Sequence, residues 1–344
     1  MKKMRIFAVL CAIVLVAASL AGCIVNTNPA VRVNGTDLTK DEFGYYLYAQ
    51  AGMAVQEAGV NTSDPEAVKA YLDGETDGKK NMDTIREKAI EEAAKILVQC
   101  NKAAELGIEL SEEDKTQVET DIANIKQQIG GESAFVEQLR MCSTTPEAFE
   151  ALYTKEALVN KLMTKLKEDG TITITDEESE KYIRDEYIKA AHILFMTVDA
   201  QTGQPYDEET ISQKKAQAEE TLGKINAGED FMKLMNELSE DTGLATAPDG
   251  YEFPRGQMVP EFEDAAFALA ENQVSDIVET SYGFHIIKRL PFEVTAEVVD
   301  KYREDAKMAM ETDKYNALVE EWKNASDVES FKSVTKSVEL VAFQ

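Results

Sequence analysis

A chain of 344 residues is long enough for about two domains, and 44% hydrophobic with 29% charged residues suits a folded protein rather than a disordered one. Its 36 Lys and Arg against 64 Asp and Glu give a net charge of −28, which repels a phosphate backbone and argues against nucleic-acid binding. Two histidines, His192 and His285, and four scattered cysteines are too few for a structural zinc site or a disulfide scaffold.

Met1-Lys2-Lys3-Met4-Arg5 is basic, and Ile6 to Leu20 follows without a charge, the order of an export signal. The run closes on Leu20-Ala21-Gly22-Cys23, which resembles the lipobox of bacterial lipoproteins. That resemblance implies a signal peptide over 1–22, a lipid on the Cys23 thiol and a short polar tether over 23–29. A plain N-terminal membrane helix is the other reading, because the uncharged stretch continues through Ile24 and Val25 and is about long enough to span a bilayer. Both readings leave the rest of the chain outside the cytoplasm. Cys11 leaves with the signal, and Cys100 and Cys142 remain; they pair with each other or stay as buried thiols, and their spacing leaves both open.

Ala30 to Asn34-Gly35 alternates like a strand and ends in a turn dipeptide. Thr39-Lys40-Asp41-Glu42 and Ser63-Asp64-Pro65-Glu66 fit the capping-box pattern of a helix start, and Ser111-Glu112-Glu113-Asp114 is a close variant. From Asp83 to Leu106, Ile85, Ala89, Ala93, Ile96, Leu97, Cys100 and Ala104 recur at helical spacing, and Gly107 marks the stop. Val118, Ile122, Ile125 and Ile129 make a second stripe, ended by Gly130-Gly131, and Thr145-Pro146-Glu147 opens a third helix. These stripes read as helix–helix core.

Near residue 190 the texture changes. Ala191 to Val198 reads as a strand, a polar loop spans Asp199 to Thr210, and Ala218, Leu222 and Ile225 lie on an amphipathic helix. Phe262, Ala266 and Leu269 suggest a short helix, and Tyr282 to Lys288 another strand. A long charged helix, Glu297 to Lys323, and a strand-like Val338-Glu339-Leu340-Val341 close the chain. The expected fold is α+β: a small antiparallel sheet with surrounding helices over 188–290, inserted in a mainly helical domain built from 30–187 and completed by 291–344.

Both histidines fall in this module, each in a strand. Alternation puts His192 on one face with Leu194 and Met196, and His285 with Gly283 and Ile287. No HxH, HExxH or Gly-x-Ser-x-Gly accompanies them. The blocks Ala191-His192-Ile193-Leu194, Gly228-Glu229-Asp230-Phe231, Ser239-Glu240-Asp241, Arg255-Gly256-Gln257-Met258-Val259, Phe262 to Phe267 and Tyr282 to Ile287 resemble, in order, the parvulin family of peptidyl-prolyl isomerases. With the lipobox and the helical flanks, the whole chain resembles the PrsA-type foldase lipoproteins, and Val31 to Phe43 resembles the chaperone arm shared with SurA.

The resemblance implies that His192 and His285 are the paired active-site histidines. It puts Asp241 where relatives carry Cys or Asp, and makes Thr280 the hydroxyl that hydrogen-bonds the pair. Met258, Phe262 and Phe253 become walls of a proline pocket. No cofactor or metal is required. One segment departs: relatives carry a Gly-Gly-Asp-Leu-Gly-like turn before the pocket phenylalanine, and here it reads Ala247-Pro248-Asp249-Gly250-Tyr251-Glu252. The loop Asp199 to Glu209 has no Lys or Arg, whereas parvulins that prefer phosphorylated Ser/Thr-Pro carry a basic cluster there.

The expected function is that of a peptidyl-prolyl isomerase and foldase, lipid-anchored to the outer face of the cytoplasmic membrane of a Gram-positive bacterium. Its partners would be unfolded secreted polypeptides containing X-Pro bonds, with a homodimer left open. A holding chaperone with a weak or inactive parvulin module is the alternative. A solute-binding lipoprotein is excluded, because that class needs two alternating α/β lobes and 39–167 shows helix after helix.

Overall fold

The computed structural model describes residues 28–343, which fall into two compact units, 28–173 with 311–343 and 174–310. The expected signal peptide, Cys23 and most of the expected tether lie outside the described residues. No described helix is long and apolar enough to cross a membrane.

In the first unit an antiparallel pair, β1 (Pro29–Val33) and β2 (Thr36–Thr39), turns at Asn34-Gly35. Both turn residues have positive φ, 50° and 86°, which Asn and Gly accept most readily. Thr39 and Glu42 exchange the two bonds of a capping box and start α1 (Lys40–Glu57). α2 (Pro65–Asp73) is capped by Asp64 rather than Ser63, because the Asp64 carboxylate reaches the N–H groups of Glu66 and Ala67 while Pro65 takes the first helical position. A short ladder, β3 (Glu75–Thr76) with β4 (Lys79–Lys80), leads into α3 (Asn81–Glu105), α4 (Glu112–Ile129), α5 (Glu132–Met141) and α6 (Pro146–Glu168). Ile85, Ala89, Ala93, Leu97 and Cys100 are buried along α3, as their spacing predicts; in its last turn Ala103 is buried and Ala104 is exposed.

The second unit contains α7 (Asp176–Glu186), β5 (Ile188–Met196), α8 (Glu208–Asn226), α9 (Phe231–Leu238), β6 (Tyr251–Phe253), α10 (Pro260–Ala268), β7 (Val274–Thr280) and β8 (Gly283–Leu290). The four strands form one antiparallel sheet in the order β6-β5-β8-β7. Ile193 and Phe195 of β5, with Phe284 and Ile286 of β8, are buried on one face against Ala218 of α8 and Phe231, Leu234 and Met235 of α9. On the other face Ile188, Ala190 and Ile287 meet Phe253, Phe262 and Ala266. This second cluster covers only part of its face, and the uncovered part carries the histidines. α7 packs through Ile183 and Tyr187 on Val299 and Ala306 of α11 (Ala296–Asn324).

After α11 come β9 (Val328–Ser330) and α12 (Lys332–Thr335). β9 pairs with β1, so the small sheet of the first unit has the order β2-β1-β9. The strand expected at Val338 to Val341 is absent. Val338 and Leu340 are buried, but the segment pairs with no strand and 341–343 form a 3-10 turn. The alternation there records burial of every second side chain against helices rather than membership of a sheet. Cys100 and Cys142 are both buried and no disulfide joins them.

Candidate active site

β6 pairs only with Ile188 to Ala190 of β5, so the edge of β5 beyond them has no strand beside it. The segment after α9 fills that edge. Leu194 N–H donates to Ser239 Oγ (3.1 Å), Glu240 N–H donates to Leu194 O (2.9 Å), and Met196 N–H donates to the Glu240 carboxylate (2.8 Å). These bonds fix the backbone of 239–240 and bring Asp241 to His192. On the opposite edge of β5, β8 sets His192 opposite Ile287 and His285 opposite Leu194. The two imidazoles therefore sit diagonally on one face. The hairpin from β7 to β8 adds Thr280, paired with Gly283. Gly283 has φ 145°, and a Cβ there would lie 2.2 Å from Phe195 O, so only glycine closes this turn against β5.

The result is a continuous chain of polar contacts. His192 Nδ1 and His285 Nδ1 are 3.0 Å apart, with rings parallel within 11°. His192 Nε2 lies 3.0 Å from Asp241 Oδ2, and His285 Nε2 lies 2.9 Å from Thr280 Oγ1. Asp241 Oδ1 accepts from Gly243 N–H (2.9 Å), and the Tyr251 hydroxyl donates to Oδ2 (2.5 Å). A carboxylate that only accepts requires the proton of His192 on Nε2. Nδ1 of His192 is then an acceptor, so His285 donates from its own Nδ1, and its Nε2 accepts from the Thr280 hydroxyl. Thr280 Oγ1 in turn accepts from Tyr282 N–H (3.1 Å). With both imidazoles neutral, every bond in the chain has one assigned direction.

Electrostatics agree for His285. His285 is 4% exposed, and burial first, then the neighbouring His192, pushes its pKa down to about 3. The hydrogen bond from His192 holds the Asp241 carboxyl well below the usual carboxylate range, with Tyr251 and Gly243 assisting against burial. Burial, then the bond to Asp241, pushes the Tyr251 phenol up.

Beside the network lies an open hollow of about 510 Å³, lined by both histidines with Met258, Val259, Phe262, Tyr251 and, along β5, Leu194 and Met196. The Phe262 ring stands edge-on to both imidazoles, 5.1 Å from His192 and 5.4 Å from His285. Of the expected site residues, His192, His285, Asp241, Met258 and Phe262 all face this hollow, and Thr280 stands behind His285. Phe253 does not line it. Its ring is fully buried 6.1 Å behind Phe262, so it supports a wall rather than forming one. Tyr251 is a site residue that the sequence gives no reason to select. Its position depends on the pairing Ala190↔Tyr251, and a three-residue strand leaves no periodicity to read.

The charged residues lining the hollow are Asp199, Glu240 and Asp241, with no Lys or Arg among them. Lys214 forms an ion pair with Glu240. Among the described residues no group of three or more His, Cys, Asp or Glu converges on a point where a metal ion would sit.

Residues 173–290 match the family model of the PPIC-type PPIASE domain. A foldase protein PrsA of Caldanaerobacter subterraneus subsp. tengcongensis is 29% identical over 348 aligned positions, covering 95% of this chain and 96% of its own. One from a Geobacillus species is 43% identical over 122 positions, 34% of this chain and 37% of its own. The crystal structure of a PrsA peptidylprolyl isomerase from Bacillus cereus covers 71% of this chain and 84% of its own at 21% identity, with a TM-score of 0.32, a loose overlap that adds nothing to the sequence match. The helix-flanked antiparallel sheet, with its paired histidines, and the matched segment are one and the same stretch: residues 173–290 are a PPIC-type peptidyl-prolyl cis–trans isomerase domain of the parvulin kind, in a chain similar to PrsA foldases over most of its length.

Proposed function

We propose that the hollow beside His192 and His285 receives the prolyl ring of an unfolded polypeptide. The chain would be held by a lipid on Cys23 at the outer face of the cytoplasmic membrane, where it assists the folding of secreted proteins. The carrying observation is the hydrogen-bonded, nearly coplanar histidine pair set directly against an apolar wall of Phe262, Met258 and Val259.

Rotation about an X–Pro bond meets a barrier of about 20 kcal/mol because the amide loses its conjugation on the way. The twisted amide is less polar at oxygen and its nitrogen becomes a better acceptor. A dry aromatic and thioether surface favours that species over the planar, better hydrated ground state, which is differential binding of the transition state. No bond to carbon has to form. In this reading the histidines, Asp241 and Thr280 keep a fixed set of dipoles around the amide, and neutral His285 puts no cation beside a twisting nitrogen. The acidic rim, with no cation lining the hollow, supports unphosphorylated substrates, since a phosphate would meet Asp199 and Asp241.

The test is cis/trans exchange of a proline peptide with the mature chain, beside His192→Ala and Met258→Ala. Expected are measurable turnover in the parent, a fall of about tenfold in kcat/KM for Met258→Ala, and a larger fall for His192→Ala. A parent with no turnover that still suppresses client aggregation would leave a holding chaperone in place of this reading. Faster exchange of a phosphoserine-Pro peptide than of its Ser-Pro parent would overturn the substrate assignment. Growth with a labelled fatty acid should label the parent and not Cys23→Ser.

A further inference from the structure

Asp241 accepts on both oxygens, and Oδ2 serves two donors at once, the His192 ring at 3.0 Å and the Tyr251 hydroxyl at 2.5 Å. The Tyr251 ring also stands edge-on to His192, with centroids 5.7 Å apart, and lines the hollow. Room for its hydroxyl comes from a second residue. A Cβ on residue 243 would lie 2.4 Å from Tyr251 Oη, and the chain has glycine there. β6 supplies the rest, since its pairing with Ala190 aims Tyr251 across the sheet face toward the turn at 241–245.

We infer that Tyr251 is a positioning residue for the isomerase reaction, one that acts through Asp241 to hold His192 in the Nε2–H form with its ring square to Phe262. The inference rests on the reading of this hollow as the prolyl site. The physical argument is one of counting donors. A carboxylate flanked by a single ring N–H keeps open lone-pair sites that water or a proton can take, and the imidazole can then rotate or exchange tautomers. A phenol on the same oxygen occupies one of those sites with a donor whose proton is bound far more tightly than that of a carboxylic acid. Asp241 stays an acceptor, the direction of every bond from Tyr251 through Asp241, His192 and His285 to Thr280 is fixed, and the wall facing the amide is set before substrate arrives.

Tyr251→Phe removes only the hydroxyl. Expected is a fall of about 5- to 30-fold in kcat with KM changed less than about twofold. Long-range proton–nitrogen spectra should show His192 as a single Nε2–H form in the parent and as mixed tautomers in the variant. Gly243→Ala, which displaces the same hydroxyl from a different residue, should reproduce the mixed tautomers and serves if Tyr251→Phe folds poorly. Unchanged kcat and tautomer in a variant that folds, while His192→Ala is inactive, would overturn the role of Tyr251 and leave the prolyl site standing. Parent-like turnover in His192→Ala and Met258→Ala would overturn both.

Discussion

His285 holds Thr280 at one ring nitrogen, 2.9 Å from the hydroxyl, and His192 at the other. Thr280 is 9% exposed, so the nitrogen it serves has no ready substitute donor in bulk water. Thr280→Val keeps the shape and removes the donor. It leaves a buried imidazole nitrogen without its donor, which should cost about 1–3 kcal/mol of stability in the isomerase domain. Turnover should fall by about tenfold or more. Peptide exchange and thermal unfolding of the variant check this together, and an unchanged rate would contradict the network.

The domain should weaken in acid. Folded His285 takes a proton only near pH 3, whereas an unfolded histidine takes one near 6.5. As pH falls from about 6.5 toward 3, the unfolded chain binds a proton that the folded chain refuses, and stability is lost by up to about 1.4 kcal/mol per pH unit. The depressed Asp241 carboxyl adds a loss of the same sign below about pH 4. Amide exchange in β5 and β8, followed from pH 7 to pH 4 and corrected for intrinsic rates, should show protection dropping. Protection that grows in acid would contradict this.

The helical unit contains a titrating group with the opposite sign. Glu156 on α6 has no hydrogen-bonded or ionic partner among the described residues, and burial pushes its pKa up to about 8. Between about pH 4.5 and 8 the unfolded chain releases a proton that the folded chain keeps, so stability falls as pH rises. Glu156→Gln removes that slope. At pH 8 the variant should be more stable by about 1–3 kcal/mol, while at pH 4.5 the two should be nearly equal. The single tryptophan, Trp322, is partly buried and packs against this unit's core, so its fluorescence in urea reads the difference.

Cys100 and Cys142 should both resist alkylation in the folded protein and react in denaturant. Burial pushes the Cys100 thiol up to about 12, which leaves little thiolate at neutral pH. Mass spectrometry after a short iodoacetamide pulse counts the labelled sites, and rapid double labelling without denaturant would show the burial to be wrong.

Legibility followed the range of the forces. Helix starts such as Thr39 with Glu42 and Ser111 with Asp114 were readable because capping bonds join residues three apart. The strands of His192 and His285 were readable from apolar runs, and their resemblance to parvulin blocks brought Asp241, Thr280, Met258 and Phe262 with them. β9 was not: Val328, Glu329 and Ser330 are all exposed, and only the edge of β1 makes them a strand. Phe253 and Tyr251 sit two residues apart on β6, one behind the wall and one in it. Which is which follows from the register with Ile188 and Ala190, more than sixty positions earlier. Such pairings leave no trace in local composition.

The antiparallel match of β1 with β9 joins Val31 to Ser330 and Val33 to Val328. The helical unit therefore cannot close its sheet until nearly the whole polypeptide has been made, while 174–310 has all its strands in hand earlier. During synthesis the unit that carries the histidines can fold first on an unfinished chain. Closure of the large terminal loop then comes last, and its rate should be set by the entropy of bringing such distant ends together.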